Sequence, residues 1–77
     1  MRYTYKTSVG TFWIESDSER GNWLLGIDDE RLGYYASAGM AADDVASHCT
    51  GWYDWDVLMG TMDGPSDLGE WRRPAGR

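Results

Sequence analysis

Between Val9 and Ser37 the chain reads VGTFWIE, SDSERG, NWLLGID, DE and RLGYYAS. Three segments, 9–15, 22–28 and 31–37, are rich in β-branched, aliphatic and aromatic residues that alternate with small or polar ones. That period-two pattern predicts three strands. Turn formers and charges fill 16–21, and only Asp29 and Glu30 lie between the second and third segments, so a tight hairpin is expected there. Pairing Asp28 with Arg31 sets Ile27 opposite Leu32 and Leu25 opposite Tyr34. Pairing Ile14 with Trp23 sets Phe12 opposite Leu25. Side chains alternate faces along a strand. Phe12, Ile14, Trp23, Leu25, Ile27, Leu32 and Tyr34 then share one face, and Trp13, Leu24 and Tyr35 form a row across the other.

Ser37 has the chemistry of a helix N-cap, its hydroxyl placed to accept from the backbone N–H of Gly39 or Met40. A helix is predicted from Ala38 to about Cys49, with Gly51 as the residue that ends it. On a 3.6-residue period Ala38, Ala41, Ala42, Val45 and Cys49 share a face, while Asp43 and Ser47 point away. The face is mostly alanine, so the helix can lie close to a sheet whose large side chains fill the gap. The expected fold is α+β: a three-stranded antiparallel meander, one helix across one face, then an irregular tail. Residues 1–62 form the single domain and 63–77, with Pro65 and Pro74, a partly disordered tail.

A chain of 77 residues is short for a single hydrophobic core. The lone cysteine, Cys49, excludes an internal disulfide, and one His with one Cys excludes the usual structural zinc site. What remains is an aromatic core, and five Trp, five Tyr and one Phe supply it. No run approaches the roughly 20 apolar residues of a membrane span. MRYTYKTSVG at the start has no apolar h-region, so no signal peptide is expected. A single thiol suits the reducing cytoplasm. Thirteen acidic against seven basic side chains give a net charge of −6, which disfavours direct nucleic-acid binding.

The candidate sites are few. His48 and Cys49 are the only strong nucleophile-or-base pair, but about 100° of helical rotation separates neighbours, so the two diverge. Cys49 is expected in the core, His48 at its boundary, and no catalytic residue is assigned. Asp54 and Asp56 with Asp63, and the run Asp28, Asp29, Glu30, lack the ligand spacing of a calcium loop, so neither a metal nor a cofactor is assigned. Asp43 and Asp44 read as a solvated helix face, or as part of an acidic patch that mimics phosphates. GWYDWD at 51–56 reads two ways: Trp52 and Trp55 complete the core, or Trp55 and its neighbouring aspartates form a platform for a small ligand.

The passages GTFWI at 10–14, IDDE at 27–30, LGYYAS at 32–37, MAADDV at 40–45 and the TG and WD of 50–56 resemble a family of short bacterial proteins of uncharacterised function. The resemblance covers residues 3–58 and implies no activity. The passage from last strand into helix is also similar to the three-strand-plus-helix DNA-binding domains of the AP2 type and of tyrosine-recombinase arm domains. Those read DNA with basic residues on the sheet, where this sheet is expected to present Trp13, Leu24 and Tyr35. The function expected is therefore a small, acidic, non-enzymatic protein-interaction module of the cytoplasm, meeting a protein partner or a second copy of itself. Its contact surface would be Trp13, Leu24, Tyr35 and Trp55. An acidic nucleic-acid mimic and a small-ligand domain built on 51–56 are the alternatives.

Overall fold

Two-residue periodicity does produce an antiparallel sheet, but with one strand more than expected. The structure is a computed structural model and describes residues 2–73. Among these, four strands run β1 (Arg2–Thr7), β2 (Gly10–Asp17), β3 (Asn22–Ile27) and β4 (Glu30–Tyr35), paired in chain order. The additional strand is RYTYKT. Its alternation is carried by Tyr3 and Tyr5, which stand opposite Ile14 and Phe12 and pack against the core. Arg2, Thr4 and Lys6 therefore lie on the other face, because successive side chains of a strand alternate.

The predicted registers fail in two different ways. In the β2–β3 pair Phe12 faces Ile27 and Ile14 faces Leu25, a shift of two residues from the expected pairing. An even shift leaves every side chain on its predicted face, and Phe12, Ile14, Leu25 and Ile27 are all fully buried. In the β3–β4 pair Trp23 faces Tyr35, Leu24 faces Tyr34 and Leu25 faces Gly33. This is a shift of one, and it inverts the two tyrosines. Tyr35 turns to the core face beside Trp23, and Tyr34 takes the place expected for Tyr35 on the far face, 43% exposed.

The cause is a moved turn combined with a bulge. Asp28 adopts φ 49°, a left-handed conformation that aspartate tolerates, so the loop is Asp28–Asp29 and Ile27 pairs with Glu30. Asp28 is also fastened to the start of β2: its N–H donates to the Thr11 carbonyl at 3.0 Å, and its carboxylate accepts from the Thr11 N–H at 3.0 Å. Moving the turn by one residue shifts the register by two and keeps the faces; a bulge at Leu25/Gly26 then absorbs one residue of β4, and this makes the net shift odd and exchanges the tyrosines.

Helix α1 (Ala38–Ala46) begins where the sequence predicts, with the Ser37 hydroxyl accepting from the Met40 N–H at 3.1 Å. Ala38, Ala41, Ala42 and Val45 face the sheet. The helix ends earlier than expected. His48, not Gly51, takes the left-handed position, with φ 58°. The Cys49 N–H donates to the Asp44 carbonyl at 2.9 Å and the His48 N–H to the Val45 carbonyl at 3.2 Å, which together close a Schellman turn.

The segment after Gly51 forms a single turn, α2 (Tyr53–Asp56), that carries Trp55 into the centre of the core. The Trp55 indole N–H donates to the Val45 carbonyl at 2.9 Å, its ring stacks on His48 at 4.5 Å, and it meets the Phe12 ring edge-on at 5.4 Å.

Residues 63–73 are more ordered in character than a loose tail. Gly64 passes so close to Trp55 that a Cβ there would lie 3.1 Å from the indole, and Pro65 is fully buried. A 3₁₀ turn at Leu68–Glu70 follows. Ser66 donates to Glu70 through its hydroxyl at 2.7 Å and its N–H at 3.1 Å, which holds the Glu70 carboxyl below its usual range. Trp71 is buried against Tyr5, with ring centroids 5.6 Å apart. Arg72 and Thr4 exchange backbone hydrogen bonds of 2.8 and 3.0 Å, so the tail closes the outer edge of β1. The expected disorder of the last few residues falls on 74–77, outside the described residues.

Replacing Trp55 tests this account of the core. Trp55→Ala is expected to lose about 3–5 kcal/mol, as for other truncated core aromatics. Trp55→Phe keeps most of the volume but leaves the Val45 carbonyl with the His48 N–H as its remaining donor, a loss of about 0.5–1.5 kcal/mol. Urea denaturation followed by circular dichroism measures both.

Candidate functional site

The two residues with catalytic chemistry do not meet. The early helix end exchanges their predicted environments: His48 is buried, stacked on Trp55 with its Nε2 unpartnered, and Cys49 is exposed, its thiol donating to the Ser47 carbonyl at 3.5 Å. Left-handed backbone at His48 turns its side chain under the helix and sends the next one out. Among the described residues no group of three or more His, Cys, Asp or Glu side chains is placed to hold a metal.

GWYDWD is a structural knot. Trp55, expected at a contact surface, is wholly inaccessible. The Asp56 carboxylate accepts from the Thr50 hydroxyl at 2.7 Å, the Thr50 N–H at 3.0 Å and the Gly51 N–H at 2.8 Å. It fastens the turn between α1 and α2, and its acceptor capacity is spent on the chain itself. Trp52 is half-buried against the core, and only Tyr53 and Asp54 face solvent.

Tyr35, also expected at the contact surface, is likewise internal. Its hydroxyl donates to the Asp44 carboxylate at 2.7 Å and so ties β4 to α1. Partial burial, and then this hydrogen bond, hold the phenol proton well above its ordinary range. Asp44 is thereby an internal acceptor, while Asp43 beside it is exposed.

Trp13 and Leu24 remain where they were placed, on the sheet face that the helix does not cover, and Tyr34 joins them. Trp13 is fixed there. Its indole N–H donates to the Asp28 carbonyl at 2.9 Å, and its ring lies flat over Gly26, where a Cβ would come within 2.2 Å of it. Only glycine permits that approach. Both aromatics of this face carry a guanidinium: Arg2 lies 4.7 Å from the Trp13 ring centroid and Arg20 lies 4.7 Å from that of Tyr34. Each guanidinium also meets a carboxylate, Arg2 with Glu15 at 3.3 Å and Arg20 with Asp17 at 3.8 Å. An open depression of about 600 Å³ runs over Trp13 and Leu24.

The sheet therefore bears more charge than expected. Arg2 was missed with β1, although the alternation Arg2, Thr4, Lys6 carries the signal. Tyr34 was missed because the bulge at Leu25/Gly26 was not foreseen.

Compared with family models, with curated proteins and with solved structures, the chain matches none.

Two outcomes follow from this geometry. Gly26→Ala must displace Trp13 or the neighbouring Glu30 carbonyl, so a loss of about 1–3 kcal/mol is expected, together with a changed Trp13 indole resonance by NMR. Tyr35 gives a pH test. In the folded state the phenol keeps its proton at a pH where the unfolded chain has lost it. Its contribution is full below the ordinary phenol value, near 10, and declines as pH rises from there through the raised folded value. Melting temperature should fall above about pH 10, and Tyr35→Phe should fall less steeply over the same range.

Proposed function

We propose that the protein is a small, non-enzymatic interaction module that holds a protein partner on its uncovered sheet face. The observation that supports this reading is the one-sided sheet. Core, helix and tail all pack on one side, and Trp13, Leu24 and Tyr34 run across strands β2, β3 and β4 on the other. A contiguous aromatic and aliphatic row that the fold leaves outside is the kind of surface that contacts another molecule. The partner is a protein, not a nucleic acid: the two arginines seated on the aromatics already face carboxylates, and the chain's net charge is −6. The exposed thiol of Cys49 suits the reducing cytoplasm.

The alternatives have less support. A ligand platform on 51–56 would need Trp55 at the surface and Asp56 free, and a phosphate mimic would need Asp44, which is engaged by Tyr35.

Affinity capture from cell lysate, comparing the native chain with the double variant Leu24→Ser, Tyr34→Ser, tests the proposal. Both side chains lie off the helix-covered face, so the melting temperature should stay within a few degrees while the captured partner is lost. A large drop in stability with capture unchanged would show that the row is structural.

A further inference from the structure

The aromatics of the open face already show what they bind. Trp13 and Tyr34 are each stacked by a guanidinium, and each guanidinium has a carboxylate beside it: Glu15 at Trp13, Asp17 at Tyr34. An aromatic face paired with an acid is a seat for a cation, because the ring quadrupole and the carboxylate both favour positive charge. This sheet carries two such seats. Both are filled by the chain's own arginines, and both arginines are held loosely. Their side chains are 52% and 63% exposed, and ion pairs so exposed are of little net worth.

The surroundings have the same preference. Around the depression over Trp13, five carboxylates (Glu15, Asp17, Glu19, Asp28 and Asp29) stand against Arg2 and Arg31. We infer that the open sheet face receives a basic, extended segment of a partner protein, whose arginine or lysine side chains replace Arg2 on Trp13 and Arg20 on Tyr34. This rests on the reading of that face as the interaction surface and adds the chemistry of what it meets.

The spacing of the seats sets the spacing of the ligand. Trp13 faces Gly26 and Tyr34 faces Leu24, so the backbones of the two aromatic residues are separated by two interstrand steps and a two-residue offset. That is roughly 12 Å, close to the ~13 Å spanned by four residues of an extended strand. Arg2 and Arg20 thus act as internal stand-ins, covering the aromatics until a better-placed cation arrives.

The test is an NMR titration of the full chain at low salt with an uncapped-charge-free heptapeptide bearing arginines at its second and sixth positions and glycine or serine elsewhere. Saturable shifts are expected at the Trp13 indole N–H and at the Leu24 and Tyr34 amides, with little change at the helix-side acids Asp43, Asp54 and Asp63. Vacating a seat should strengthen binding: Arg2→Ala and Arg20→Ala are each expected to tighten the peptide roughly two- to fivefold. Arg73→Ala changes the net charge equally from the tail and should leave the affinity unchanged. Should loss of Arg2 unsettle β1, Arg20→Ala alone gives the same reading from outside any strand.

The proposal is overturned if the shifts spread evenly over all acidic residues, if Arg73→Ala tightens binding as much as the seat variants do, or if the peptide moves nothing. It is also overturned if a glutamate-bearing peptide of the same length binds the face in its place. That last result would leave the face an interaction surface for an acidic partner. Failure of the interaction reading itself would appear separately, as capture unaffected by the Leu24→Ser, Tyr34→Ser variant.

Discussion

One buried indole holds three parts of this chain together. Trp55 reaches from the short turn after α1 to the Val45 carbonyl near the end of the helix, to the imidazole of His48 and to Phe12 of the sheet. The Val45 carbonyl belongs to the last turn of α1, where backbone acceptors lack intrahelical donors. The indole N–H shares it with the His48 N–H of the Schellman turn. A domain without a disulfide must close its chain by packing, and here a single side chain closes helix end, sheet and tail at once. His48 is retained in a left-handed conformation that costs a non-glycine residue about 1–2 kcal/mol. Its stack on Trp55 offsets part of that cost. Gly64 then passes close to the same indole and the buried Pro65 follows it, leading the tail toward β1.

Much of this was legible in the sequence, and the parts that were not share a physical cause. The buried face of β2 and β3 could be read because alternation fixes faces, and a two-residue error in register does not change them. The far side of β4 could not, because the bulge at Leu25/Gly26 adds a single residue to the even shift made by the turn, and no local pattern marks it. The end of α1 was misplaced for a similar reason: glycine is the usual left-handed residue after a helix, yet His48 occupies that position because Trp55 packs beneath it. That contact is not encoded in any local pattern. β1 was overlooked because its inward residues are tyrosines, whose ring buries while the hydroxyl reaches outward, so RYTYKT reads as polar.

The candidate surface was half legible. Trp13 and Leu24 follow from alternation alone, whereas Tyr34 and Tyr35 exchange roles with one step of register. Trp55 was drawn to the surface by its aspartate neighbours, and those aspartates prove to have separate duties. Asp56 ties down Thr50 and Gly51, and Asp54 is solvated. A cluster of Trp and Asp in sequence says little about a site until the backbone shows which side chains share a direction.

The open face can be aromatic in so small a chain because its rings are capped. An exposed apolar row invites indiscriminate association. Here a guanidinium lies over Trp13 and another over Tyr34, so part of the apolar area of this face is covered by a group that water also accepts. The covering is electrostatic and therefore exchangeable, unlike the packing that buries Trp55. Unbalanced acids elsewhere on the chain add a long-range field that draws cations toward the protein and weakens with salt. Range and specificity are thus separate in this molecule: the net charge acts over about 8 Å in physiological salt, while Trp13 and Tyr34 provide the surfaces at which a cation can exchange directly with one already in place.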